Sequence, residues 1–470
     1  METAGGKSAD PKFALAVGGL ACHALPTKRN CSLDRVLRRW EDTVFISCTC
    51  NKGRDFLAES SWSAPLCGYE ADQLLSKHNR KRRRTNHFFI APMRAYPGHA
   101  RLVTCCAIDR AGVRMASGSR DCSVRLYDFQ GTGTNGLAFR TLMPQRGHAV
   151  VGLSYSPTGA QCLAATGSAK SCIFDRNGRV VLVCVKGDPY RMDMGQTRGH
   201  VSALTGCEWS PRDKAAILTC STDGSARIWD VEKGEISALE NELVCSRVLK
   251  ARSVRGGQCG RPAGGLSACA FSRCGNRVCC AAQDGTLQLW ALRKKTTQGP
   301  DVVLRRPTIS DGGMQGATGI CWSNDGRLLA SRGGGSASLN GDGGVFLWDT
   351  RKLKAPVKAF RGLPNYASNT SVCFCSDAGI LCTCTSGMEA MHSGNSHAAA
   401  MPGKVVFLET KTANSSPLLI LGLRKEQNNT YGVCVNWHPL LQHVFFTASD
   451  GCTRAISWLF ISECCQRVRR

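Results

Sequence analysis

Apolar and polar positions alternate along most of this chain in short runs, and each run is cut off by turn residues. The segment GHVSALTGCEWSPRDKAAILTCSTDGSARIWD (199–230) shows the pattern in full. An alternating stretch follows Gly-His. A polar turn, a second apolar stretch, a Thr-Asp-Gly turn and a last short stretch ending in Trp-Asp come next. Period-two alternation bounded by Gly, Pro, Ser and Asp predicts short β-strands joined by tight turns. The same order of parts occurs in GHARLVTCCAIDRAGVRMASGSRDCSVRLYDF (98–129) and in GHAVVGLSYSPTGAQCLAATGSAKSCIFD (147–175).

Four looser copies follow. Residues 264–292 lack the Gly-His but keep Asp284 six residues before Trp290. Residues 316–349 keep Asp342 and Trp348, with an insert before them. Residues 371–409 carry a long insert, and residues 432–458 keep Asp450 and then drift. Seven units therefore span residues 96 to 460. A unit of this length that ends in Trp-Asp and cannot bury both faces alone is a blade of a β-propeller. The sequence thus predicts an all-β, seven-bladed WD40 β-propeller, with residues 1–95 as a basic, partly disordered N-terminal extension and 461–470 as a tail. In such blades a His, a hydroxyl, the turn Asp and the strand Trp form a hydrogen-bonded chain. The third unit offers His200, Ser221, Asp223 and Trp229; the first offers His99, Ser119, Asp121 and Tyr127. These residues are expected to be structural, since a satisfied buried network explains them fully.

Composition narrows the function. With 60 Lys+Arg against 35 Asp+Glu, the formal net charge is +25, which favours anionic partners. The same excess is also what plain solubility would produce. The 28 Cys sit largely inside predicted strands rather than at disulfide-scaffold spacings, which reads as reduced thiols in an intracellular compartment. No apolar run reaches the about 18–20 residues that span a bilayer. Residues 13–25 look like a weak signal-peptide core, but Glu2 and Asp10 precede it where basic residues belong. There is no phosphate-binding G-x-x-x-x-G-K-[ST] loop and no G-x-S-x-G elbow, so the chain reads as a non-enzyme without cofactors. The His pair at 392–397 lies in a polar insert with no third ligand. Cys22, His23, Cys31, Cys48, Cys50 and Cys67 do not form paired zinc knuckles, so no metal is expected.

KHNRKRRRTN (77–86) gathers Lys77, Arg80, Lys81, Arg82, Arg83 and Arg84. Such a block is a nuclear-import signal or a nucleic-acid contact; a solvated basic linker is the plainer alternative. It would add salt-dependent, sequence-blind affinity for nucleic acid. Arg101, Arg191 and Arg332 stand as candidate contacts on loops.

Three stretches point to one family: DRNGRVVLVCVKGDPYRMDMGQTRGHVSALTGCEWSPRDKAAILTCSTDGSARIWD (175–230), LASRGGG…GDGGVFLWDTRK (329–352) and GLPNYASNTSVCFCSDAGILCTCTS (362–386). The chain resembles the gastrulation-defective-like, WD repeat-containing protein 70 family over about residues 99 to 455. The KGDPYRMDM…TRGH connector is the most specific piece. The inserts at 241–263 and 387–402 and both termini depart from the pattern. The resemblance implies a nuclear scaffold, a substrate receptor of cullin-4 ubiquitin ligases linked to histone H2B monoubiquitination, chromatin and the DNA-damage response. Trp348-Asp349-Thr350-Arg351 resembles the box by which propeller receptors engage the damaged-DNA-binding adaptor of those ligases. Arg351 would then form a bidentate pair with an acidic partner; the alternative is a solvated surface arginine. An RNA- or DNA-associated assembly scaffold is the other class of function compatible with the charge, and a generic cytosolic scaffold the blandest. The expected form is a monomer within a larger complex, away from membranes.

Overall fold

Four consecutive strands build the core of each of the first six sheets. In the third unit they are Leu204–Trp209, Ala216–Ser221, Ser225–Asp230 and Arg247–Lys250, each antiparallel to its neighbour. Seven sheets follow one another along the chain and make a seven-bladed propeller. The blades span 103–142, 150–184, 204–250, 266–305, 317–360, 372–422 and 432–461. The computed structural model describes residues 94–461 apart from 130–135, 192–193, 238–240, 253–263, 294–298, 306–315, 334–342, 366–369, 376–378, 386–402, 412–416, 423, 426–427, 430–431 and 442. The backbone alone is described at 46–47, 87–90, 236–237, 422, 424–425, 428–429 and 457–461, and for Met194.

The turn between the second and third strands needs a left-handed residue after its Asp. Gly224, Gly285 and Gly451 supply it with φ of 76°, 86° and 80°. Blade one puts Cys122 there instead, at φ 68°, a conformation that costs a non-glycine residue energy. Neighbouring blades pack face to face. Leu218, Cys220, Ala226 and Leu249 of blade three meet Leu266, Phe271, Val278, Cys280 and Trp290 of blade four in one buried cluster. The described cysteines are free thiols, many of them in these clusters. Burial pushes the thiol of Cys162 up to about 12, so such residues act as small hydrophobes.

Hydroxyls stitch the inner strands together. Thr205 donates to the Leu266 carbonyl (2.8 Å), Ser267 to Ala317 (2.6 Å) and Thr318 to Thr370 (2.9 Å), each reaching the next blade. Thr104 does the same to Val150. In blade two this position is Val151, and the Leu204 N–H instead donates to the Ser168 carbonyl.

The ring closes through a segment expected to lie outside it. Arg94–Tyr96 pairs with Thr453–Ala455, and His87–Ile90 pairs with 458–461. Both join the outer side of blade seven. The boundary drawn at residue 96 is therefore corrected: the propeller begins before it, because the last blade lacks a fourth strand of its own. Ile461, assigned to the tail, ends the third strand of that blade. Tyr96 is buried at the seam, its ring 5.6 Å from that of Tyr127, while Phe129 stacks on Phe445 at 5.5 Å. Ile46–Ser47 pairs antiparallel with Ile420 and Leu421 of blade six; the remaining extension residues lie outside the described residues. So do the zinc candidates Cys22, His23, Cys31, Cys48, Cys50 and Cys67, the basic cluster Lys77 to Arg84, the His pair at 392–397, and Asp342.

Candidate functional site

Blade three holds the complete polar chain. The Trp229 indole donates to Thr219 Oγ1 at 2.8 Å. Thr219 sits 2.8 Å from His200 Nε2, and His200 Nδ1 lies 2.9 Å from Asp223 Oδ2. Donor chemistry fixes the protons. An indole N–H can only donate, so the Thr219 hydroxyl accepts from it and gives its own proton to Nε2. Nδ1–H is then left to donate to the carboxylate. Burial lowers the His200 pKa, against the pull of Asp223, and the ring is neutral. Burial pushes the Asp223 carboxyl up, but hydrogen bonds from His200 and Ser225 outweigh it and hold it at about 2.

The expected hydroxyl was Ser221, and this is corrected. Ser221 Oγ donates to the Ser202 and Ala203 carbonyls and accepts from the Asp223 N–H. Trp229 pairs with Ile217, so its indole reaches the diagonal neighbour Thr219, not the strand end. Blade one repeats the correction. His99 bonds Ser117 (2.7 Å) and Asp121 (2.9 Å), whereas Ser119 caps the turn and donates to the Arg101 carbonyl. Tyr127 fills the Trp position, buried, and its hydroxyl makes no direct hydrogen bond among the described residues. In blade four Asp284 accepts from Thr286, and Trp290 is buried without a His-Thr pair beside it. In blade five Trp348 donates to Ser331 at 3.1 Å. Asp450 of blade seven takes the Arg454 guanidinium instead of a His.

Two faces of the ring display loops. At the face where outer strands hand over to the next inner strand, the 186–200 connector is held by Arg227, which is fully buried and donates to the Thr197 carbonyl at 2.7 Å. Arg101 and Arg191 are exposed at that face. Arg332 is not a loop residue: it is fully buried in the strand Leu328–Gly333 and donates to the Leu363 carbonyl at 2.9 Å. The apolar run 328–330 leading up to it was the signal available for this.

At the opposite face, the third strand of blade five ends at Asp349. Asp349 Oδ1 accepts the Arg351 N–H (2.9 Å), and the Asp349 carbonyl accepts the Lys352 N–H (3.0 Å). Thr350 bonds back to the Gly326 and Arg327 carbonyls. The turn is thus fixed, and the Arg351 side chain is exposed. Blade three builds the same turn: Asp230 Oδ1 accepts from the Glu232 and Lys233 N–H groups. There the displayed side chain is Glu232, already paired with Lys214 at 2.9 Å. Among the described residues no carboxylate pairs with Arg351, and Arg327, Lys352 and Lys354 are exposed beside it in space or sequence. Trp348, by contrast, is buried and cannot itself touch a partner.

The WD40 family (WD domain, G-beta repeat) matches residues 90–128, 193–230 and 258–291. WD repeat-containing protein 70 of Xenopus laevis is 31% identical over 359 residues, 74% of this chain and 50% of that protein. The human protein of the same name is 30% identical over 349 residues, covering 74% and 47%. Gastrulation defective protein 1 homolog of Drosophila melanogaster is 30% identical over 358 residues, covering 75% and 48%. The chain spans about half the length of the curated relatives it matches. With its seven blades, its His-hydroxyl-Asp-Trp networks and these relatives, the chain belongs to the WD repeat-containing protein 70 (gastrulation-defective-like) family of WD40-repeat proteins.

Proposed function

We propose that this protein-interaction scaffold is a nuclear substrate receptor of a cullin-4 ubiquitin ligase, acting near chromatin in the response to DNA damage. Arg351 is its contact to the ligase adaptor. One observation carries the reading: a fixed turn displays Arg351 with no carboxylate partner among the described residues, where blade three displays a Glu already satisfied by Lys214. A planar guanidinium on a rigid turn suits bidentate pairing with an acidic partner. Asp349 sets the turn and Trp348 anchors the strand behind it; only Arg351 touches. The basic cluster Lys77, Arg80, Lys81, Arg82, Arg83 and Arg84 would direct import.

Affinity purification of the tagged chain and its Arg351→Ala variant from nuclease-treated nuclear extract tests this. The wild type is expected to bring down the adaptor and cullin-4, and the variant to lose both at unchanged thermal stability. Recovery of neither with the wild type would end the receptor reading. Equal recovery with both would remove Arg351 from it.

A further inference from the structure

Tyr190 is 92% exposed, more than any other large hydrophobic side chain among the described residues. It stands on the connector between blades two and three, whose described ends at 186–191 and 196–200 are firmly built. The Gly187 N–H donates to the His200 carbonyl (2.8 Å), and the Cys245 N–H to Arg198 (3.0 Å). Arg227 clamps Thr197 from below. Gly187 and Gly199 pass so close that a Cβ on Gly199 would stand 1.7 Å from the Val185 carbonyl oxygen. Next to the ring, Asp188 accepts the Tyr190 N–H at 3.0 Å, and Arg191 reaches the Gln196 carbonyl at 3.2 Å. The backbone is thus ordered while the ring stays in water.

We propose that Tyr190 is a stacking platform for single-stranded nucleic acid, with Lys186 and Arg191 contacting the phosphates on either side. Lys186 and Arg191 are both exposed. Asp188, the described acid beside the ring, already spends an oxygen on the turn, and Arg198 is satisfied by Glu235 at 2.7 Å. A protein hot spot sets its aromatic anchor inside a rim of contacts that exclude water. Among the described side chains of the connector no second large hydrophobic is exposed; the others are at 137–143, 180, 302, 357 and 440–441. A base needs only one ring face and nearby cations, and the net charge of +25 adds long-range attraction. The connector joins an outer strand to the next inner strand, whereas Arg351 follows a third strand. Antiparallel order puts the two at opposite faces, so the site is independent of adaptor docking.

The test is fluorescence anisotropy with labelled 20-mers of oligo(dT) and oligo(U) on the full chain, over a series of KCl concentrations. Tyr190→Ala is expected to weaken binding about tenfold at every salt concentration without changing the salt slope. Tyr190→Trp should restore it. Lys186→Ala and Arg191→Ala should each lower the slope by about one. Because the ring touches little, Tyr190→Ala leaves the fold intact, as circular dichroism would confirm. Wild-type affinity in Tyr190→Ala would overturn the proposal and leave binding to other basic segments. An absence of oligonucleotide binding by the wild type would also overturn it, and would turn the ring into a protein contact.

Discussion

Blades three and four hold the same tryptophan by different means. Trp229 and Trp290 occupy equal registers, opposite Ile217 and Val278, and both are essentially fully buried. In blade three the indole opens a chain through Thr219 and His200 to Asp223. In blade four the Thr219 position is Cys280. The residue two before the tryptophan also changes. Arg227 clamps Thr197 in blade three, whereas Gln288 trades two hydrogen bonds with the Arg252 backbone, at 2.9 and 2.8 Å, in blade four. Packing of the tryptophan and clamping of the incoming connector are therefore separable jobs. The repeat preserves the first and varies the second, and the varied clamps decide which loops stand rigid at the face. The 186–200 connector with Tyr190 owes its order to the blade-three version.

The largest effects should be alike in the two blades. Trp229→Ala and Trp290→Ala are each expected to cost about 3–5 kcal/mol in chemical denaturation, since each empties a large volume between blades. A much smaller loss at Trp290 would mean that the polar chain supplies a large part of what Trp229 is worth. The polar chain should break the symmetry. His200→Ala leaves Thr219 and Asp223 short of a partner and should cost about 1–3 kcal/mol. It should also speed limited proteolysis within 186–200, while the Gln288-held Arg252 backbone stays unaffected.

Acid should act on the same contrast. Burial lowers the pKa of His99 and His200 below 6.5, so the unfolded chain takes up protons first as pH falls. Their stabilisation is whole above about 6.5 and is lost as pH drops towards the folded values. Thermal scans should show the midpoint falling below pH 6.5, and His200→Asn should flatten that fall. Glu208, which accepts the Phe271 N–H and so joins blade three to blade four, has the opposite sign. Burial raises it to about 7, so its contribution is present below the ordinary carboxylate value of 4.5 and is lost as pH rises through 7. Glu208→Gln should therefore raise the midpoint at pH 8 relative to wild type and not at pH 5.

Much of this was legible in the residues. Alternation and turn chemistry give the strands, and the recurring order of strands and turns gives seven blades, because both are local properties of the backbone. The hydroxyl of the polar chain was not, since Ser221 and Thr219 face the same side and only the cross-strand register separates them. Arg332 was misplaced for a related reason: an arginine beside glycines reads as loop until its neighbours show that the strand continues and that backbone carbonyls satisfy the charge. The closing strand at 94–96 was missed because its partner lies more than 350 residues away in sequence, and no local pattern encodes such a pairing. Arg351 was readable as a motif. That its turn is fixed and its charge unmatched needed the geometry of the neighbouring blades.

The smallest effects give the sharpest test of separability. Thr219→Cys keeps the volume but replaces the hydroxyl by a thiol, a weak acceptor and weak donor, so both links it makes are weakened. A loss of about 1 kcal/mol is expected, with the tryptophan still buried. The reciprocal change, Cys280→Thr, puts a hydroxyl at the Thr219 position of blade four, where no His waits to take its proton among the described residues. It should alter stability by less than Thr219→Cys does, because an isosteric swap disturbs the packing little and there is no chain for it to complete. If Cys280→Thr proves the more damaging of the two, the packing of Trp290 depends on the thiol itself. Clamp and core would then be one device rather than two.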